Sequence, residues 1–147
     1  MTTYLITGAN RGIGLEYCRQ LNARGANVIA ACRNSSKEIE KLPIRIETGV
    51  NLEEEKSLQK LKANLEDVNI DVLINNAGFL ENETINSLDL NTIKKQFQIN
   101  CLAPLYLTKI LLGNLSEGSK VIFMTSRMGS ISDNISGGFY GYRISKA

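Results

Sequence analysis

Apolar residues along this chain follow two alternating rhythms. Residues 3–7, 27–32, 44–49, 71–75 and 120–125 are short, nearly continuous apolar runs, the pattern of strands covered on both faces. Between them lie longer stretches in which apolar positions recur every three or four residues. These predict helices over 12–24, briefly over 36–42, over 53–67, and over a long span from 89 to 112. Leu58, Leu61 and Leu65 make one apolar stripe at i, i+3 and i+7. Glu53, Glu54 and Glu55 precede it, where a helix dipole favours negative charge. Strands alternating with helices predict a parallel α/β sheet. No repeat, low-complexity tract or linker interrupts the chain, and two prolines, Pro43 and Pro104, are too few to mark a boundary, so residues 1–147 read as a single domain.

Composition narrows the function classes. With 147 residues, 43% of them hydrophobic and 22% charged, the chain can bury a core of its own. Seventeen basic against 15 acidic residues leave a formal charge of +2, and the basic residues are dispersed. Neither a nucleic-acid footprint nor a polybasic membrane anchor is expected. No apolar run approaches the roughly 18 residues of a membrane span, and the opening Met1-Thr2-Thr3-Tyr4 has no signal-peptide pattern, so a cytoplasmic location is expected. Cys18, Cys32 and Cys101 are odd in number and form no C-x-x-C pair, which argues against disulfides and zinc. Histidine is absent. That removes Ser-His and Cys-His nucleophiles and the commonest metal ligand, so no metal site is expected and any acid or base must be another residue type.

Thr7-Gly8-Ala9-Asn10-Arg11-Gly12-Ile13-Gly14 follows the first strand and opens the first helix, the context a phosphate cradle needs. Glycines let the backbone approach a pyrophosphate, and the free N–H groups of the helix start supply donors at the positive dipole end. Further on come Asn75-Asn76-Ala77-Gly78 after the fourth strand, Asn100 in the long helix, Thr125-Ser126 after the fifth strand, and Tyr142-Arg143-Ile144-Ser145-Lys146. In this order and spacing the five features resemble the short-chain dehydrogenase/reductase family, whose marks are T-G-x-x-x-G-x-G, N-N-A-G, a helix asparagine, a serine after the fifth strand and Y-x-x-x-K. The segments around Ser126–Ile131 and Gly137–Lys146 are similar to its carbonyl-reductase and C-factor-like branch.

The resemblance implies a Rossmann-like, doubly wound parallel sheet and an NADP(H)-dependent oxidoreductase acting on a small carbonyl or alcohol. It implies that Tyr142 transfers a proton to or from the substrate oxygen, that Ser126 hydrogen-bonds that oxygen, and that Lys146 binds the nicotinamide ribose. Asn100 would hold a water linking Lys146 to solvent. Tyr142 and Lys146 stand at i and i+4, so on a helix the ammonium favours the phenolate of a group that titrates at about 10 in water. Cofactor contacts are expected from Gly8, Asn10, Arg11, Gly12, Ile13, Gly14, Arg33, Asn51, Asn76, Ala77 and Gly78, with Tyr142 and Lys146. Ser126 precedes Tyr142 by 16 residues and Ser130 by 12. Ser126 is the better candidate because it follows the strand directly and the glycine-ended insertion at 133–138 absorbs the extra length. Tyr140, without a lysine four residues on, reads as a packing or substrate-side aromatic.

The end of the second strand discriminates between cofactors. A carboxylate there binds the adenosine ribose of NAD, whereas a cation accommodates the extra phosphate of NADP. Here Cys32 is followed by Arg33, and Arg11 stands in the glycine turn, so NADP(H) is expected. Asn51 stands where the family places an aspartate near the adenine, and its amide can still accept from the adenine amine. Family members continue past Y-x-x-x-K. The fifth strand should therefore be an open edge, this chain by itself poorly active and prone to association, and the full-length form a homodimer or homotetramer. A nucleotide-binding signalling module with negligible turnover is the alternative.

Overall fold

The computed structural model describes residues 1–147, and its sheet bears out the α/β expectation. Five strands, β1 (Thr3–Thr7), β2 (Asn27–Ala31), β3 (Arg45–Glu47), β4 (Val72–Asn75) and β5 (Lys120–Phe123), pair in parallel in the order β3-β2-β1-β4-β5. The register aligns Leu5 with Ile29 and Leu73, and Ile6 with Ala30 and Ile74. Each aligned row faces one side of the sheet, since alternate residues point to opposite faces.

Two cores result. On one face Leu5, Ile29, Ala31 and Leu73 pack with the stripe Leu58, Leu61 and Leu65 of α2 (Glu55–Asn64, with Leu65 as its cap), and with Ile99, Ala103 and Leu107. On the other face Ile6, Val28, Ala30, Val72 and Ile74 pack with Leu15 and Cys18 of α1 (Gly12–Ala23) and with Ile39. Helices therefore cover both faces, and the direction of winding reverses between β1 and β4. In such sheets that reversal opens a crevice beyond the carboxyl ends of the strands, where ligands bind.

Three helix expectations change. Residues 36–42 form turns, not a helix: the Ser36 hydroxyl donates to Asn10 O (2.7 Å) and accepts from Ile39 N–H (3.3 Å). A side chain bonded to backbone in this way competes with the helical ladder. The helix expected over 53–67 is shorter, and only Glu55 lies in its first turn. Glu53 instead pairs with Lys95 at 3.3 Å, and Glu54 accepts from Asn51. The long helix is three pieces: α3 (Leu90–Phe97), a π-helical turn at Gln98–Leu102, and α4 (Ala103–Ile110). Asp89 caps α3 by accepting from Asn91 and Thr92 N–H, and those bonds, that to the Thr92 hydroxyl first, lower its pKa. The last helix, α5, spans Tyr140–Lys146. No helix is long and apolar enough to cross a membrane.

Candidate active site

Beyond the carboxyl ends of β1 and β4 lies a cleft of about 460 Å³. Its floor is a weld between the glycine turn and the segment after β4. Thr7 Oγ1 accepts from the N–H groups of Asn76 and Ala77, each at 3.1 Å, while Asn76 Nδ2 donates to Thr7 O (3.0 Å) and Gly8 O (3.4 Å). Such close approach leaves no space for side chains. A β-carbon on Gly8 would stand 2.8 Å from Ala77 Cα, and one on Gly14 would stand 2.6 Å from Asn76 Nδ2. Asn76 therefore serves the cradle as its fastener, with its amide spent on backbone.

The fit to a dinucleotide can be judged from these residues. The first N–H groups of an α-helix have no intrahelical acceptor, and no side chain caps α1 or places a carboxylate in its first turn. Gly12, Ile13 and Gly14 thus present donors and a positive dipole end to the cleft. Arg11 and Arg33 are exposed at the same wall, and neither is ion-paired within the chain. Asn10, Asn51, Ala77 and Gly78 also line the cleft. The Asn51 amide is engaged locally: Nδ2 donates to Glu54 Oε1 (2.7 Å) and Oδ1 accepts from Glu53 N–H (3.2 Å), leaving one lone pair of the oxygen for a ligand. Cations lining the cleft are Arg11, Arg33, Lys95 and Lys146, and no carboxylate does. The residues fit a phosphate-rich nicotinamide dinucleotide.

Tyr142 and Lys146 form the far end of the cleft, on one face of α5 as their spacing predicts. Lys146 Nζ lies 5.8 Å from the centre of the Tyr142 ring and donates to Met124 O at 2.7 Å. Burial disfavours the charged ammonium and lowers its pKa. Asn100 sits at the π turn and is buried. Its Oδ1 accepts from Phe79 N–H, and its Nδ2 donates to Phe79 O and to Ser145 Oγ, all at 2.8 Å. The Ser145 hydroxyl in turn donates a hydrogen bond to Tyr142 O at 2.8 Å. A chain of bonds thus links the helix asparagine to the backbone of the tyrosine.

Ser126 stands beside the cleft wall made by Met124 and Thr125 but is not part of it. Its Oγ accepts from Met128 N–H (3.2 Å), capping the single turn Arg127–Gly129. Ser130 is exposed and bonded to Ser132, and Tyr140 does not line the cleft. The insertion at 133–138 is braced by Arg143, which donates to Asp133 O (2.8 Å), Gly138 O (3.1 Å) and Ser136 Oγ (3.2 Å), while Arg127 pairs with Asp133 at 2.8 Å.

Three residues in or beside the site escape the sequence reading. Ser145 and Arg143 lie inside Y-x-x-x-K, where attention falls on the ends. Lys95 lines the cleft at 5.0 Å over the Phe79 ring, and only its place on α3 facing the N-N-A-G segment could have signalled it. Cys32 is buried at the wall near Cys18. Burial first, then the neighbouring Cys32, pushes the Cys18 thiol up to about 11, and burial raises that of Cys32 as well.

Comparison with known proteins decides the family: the model of the short chain dehydrogenases matches residues 2–147. The chain belongs to the short-chain dehydrogenase/reductase family. It is 41% identical over its whole length to the 1-hydroxy-2-glutathionyl-2-methyl-3-butene dehydrogenase of Rhodococcus sp. (strain AD45), of which it spans 66%. Over 81 residues, 53% of the chain, it is 43% identical to the C-signal of Myxococcus xanthus, spanning 49% of that protein. A carbonyl reductase from Pseudomonas aeruginosa in complex with NADP superposes with a TM-score of 0.87 at 32% identity, covering 99% of this chain and 70% of that one. The NADPH-bound carbonyl reductase from chicken fatty liver superposes with a TM-score of 0.81 at 27% identity, over 99% and 69%. This short-chain dehydrogenase/reductase chain thus has the Rossmann-like, doubly wound sheet of its structural relatives.

Proposed function

We propose that the whole protein is an NADP(H)-dependent oxidoreductase that reduces a small carbonyl compound, or oxidises the matching alcohol, with Tyr142 as the proton-transferring residue. The observation that carries this is the wall of the cleft: Arg11, Arg33, Lys95 and Lys146 line it, no carboxylate does, and Tyr142 stands at its end. A carboxylate at Cys32 would repel a 2′-phosphate, whereas Arg33 and Arg11 attract one. Carbonyl reductases bound to NADP and NADPH share the fold.

The bound nicotinamide supplies or accepts the hydride, and the chain supplies aim and proton. In reduction Tyr142 Oη gives its proton to the carbonyl oxygen as the carbon receives hydride, and solvent later restores that proton. The Lys146 ammonium favours the phenolate left behind. Ser126 Oγ accepts from Met128, which leaves its O–H free to donate to the substrate oxygen. Asn100 steadies the arrangement through Ser145 and the Tyr142 carbonyl. Leu105 and Leu112, exposed on and after α4, suit a contact between copies in a homodimer or homotetramer. The signalling alternative has less support, because the Tyr142–Lys146 pair is assembled and the C-signal alignment covers 53% of the chain.

The test is NADPH oxidation by the full-length protein with a panel of aldehydes and ketones. Tyr142→Phe should lower kcat about 1000-fold while calorimetry shows NADPH binding unchanged. A near-normal rate in Tyr142→Phe would overturn the acid assignment.

A further inference from the structure

Tyr142 and Lys146 both ride on α5, so the seating of the start of that helix decides where both side chains stand. Its start is unusual. Phe139, immediately before it, has φ of 53°, and no other residue except glycine has a positive φ. A bulky side chain keeps that conformation only where its surroundings impose it. The imposing contact is Glu83: its carbonyl oxygen accepts from Phe139 N–H at 3.0 Å.

The side chain of Glu83 reaches beneath the same turn. It is 2% exposed, and its Oε1 accepts from Nε2 of the fully buried Gln96 on α3. Gln96 Oε1 in turn accepts from Glu81 N–H at 3.1 Å. Glu83 Oε2 has no donor within the protein. A buried carboxylate satisfied through one oxygen is costly, and such a group calls for a reason. The reason lies above it. A β-carbon on Gly141 would stand 2.6 Å from Glu83 Oε1, 2.5 Å from Gln96 Nε2 and 3.1 Å from Cα of Ile93. The first turn of α5 therefore rests by bare backbone on the bonded pair, and neither side chain can swing aside without breaking their bond. A hydrogen-bonded pair holds one geometry, where an apolar contact could slide.

We propose that Glu83 and Gln96 are positioning residues that set where α5, and with it Tyr142 and Lys146, stands against the cofactor cleft. Glu83 acts on both sides of Tyr140, through its carbonyl on Phe139 and through its carboxylate under Gly141. The effect on turnover rests on the oxidoreductase reading above; the seating of the helix does not.

The test uses the full-length protein, with kcat and the KM for NADPH measured in the reduction of p-nitrobenzaldehyde and amide hydrogen exchange followed across Tyr140–Lys146. Gly141→Ala should lower kcat by about 100-fold, leave the KM for NADPH unchanged and speed exchange in α5. Glu83→Gln keeps the shape and the acceptor for Gln96, so both readouts should stay close to wild type, while Glu83→Ala should lose turnover and protection together. Adding Glu83→Ala to Gly141→Ala takes away one of the two side chains the new methyl group meets and disturbs the same seat, so the losses of the two single variants should not add. A Gly141→Ala protein with wild-type kcat and exchange, or a double variant whose losses simply add, overturns the proposal. If wild type fails to reduce the aldehyde, or Tyr142→Phe keeps full turnover, the oxidoreductase or acid assignment falls instead, and exchange in the Glu83 and Gly141 variants decides the positioning claim alone.

Discussion

The two ends of the cleft are built in different ways. At the phosphate end, β1 and β4 lie side by side in the sheet, every residue of β4 is buried, and two side chains, Thr7 Oγ1 and Asn76 Nδ2, tie together backbone that glycines let approach closely. At the catalytic end, β5 is followed by a single helical turn, an insertion braced by Arg143, and α5. Side-chain bonds hold that end together: Lys146 Nζ to Met124 O, Thr125 Oγ1 to Lys146 O (3.2 Å), and Asn100 to Ser145. Close approach of glycine backbone in the sheet closes the cradle, whereas the catalytic groups are held by bonds from separate elements that can be removed one at a time.

The sharpest way to break this contrast is at the residue that serves both ends. Lys146→Ala removes a cation from the cleft wall and the partner of Tyr142, so kcat/KM for NADPH-dependent reduction should fall about 1000-fold, with weaker NADPH binding by calorimetry. Intact binding would confine Lys146 to proton transfer.

Next in size are two glycines, one at each end. Gly8→Ala drives a β-carbon against Ala77 and should cost about 3 kcal/mol of stability in denaturant unfolding, together with cofactor binding. Gly129→Ala drives one to 2.6 Å from the carbonyl carbon of Lys146. Its expected signature is lost turnover with NADPH binding retained, and a matching loss of binding would erase the distinction.

At the phosphate end alone, Arg33→Asp should weaken NADPH by about 2 kcal/mol, or about 30-fold, and narrow its advantage over NADH. An unchanged preference would shift the discrimination to Arg11 and Lys95. The smallest effect is expected from Ser145→Ala, which strands one amide proton of Asn100: about 1 kcal/mol of stability, with a fall in kcat and none in NADPH affinity.

Legibility followed the same division. The glycine turn and N-N-A-G are each contiguous segments recognisable by their own residues, and the structure places them together. Ser126 and Ser130 could be ranked only by adjacency to the strand, and it is the cap to Met128 that separates their environments. Residues 36–42 read as a helix because Ile39 and Leu42 recur at helical spacing, yet the Ser36 hydroxyl draws the segment onto Asn10. Glu83 and Gln96 carried no sequence signal, since a polar residue in a polar loop and one on a helix look like solvent-facing groups until the tertiary contact buries both.

The order of the strands, the apolar stripes, the glycine turn at the start of α1 and the placing of Tyr142 and Lys146 on one helix face were determined by the sequence alone, because periodicity, glycine placement and i, i+4 spacing are local properties of the chain. The π turn at Asn100, the left-handed Phe139, the carboxylate-free wall and the buried support under α5 were decided only by the tertiary structure. Each depends on which distant residues meet, and that is settled when the whole sheet packs.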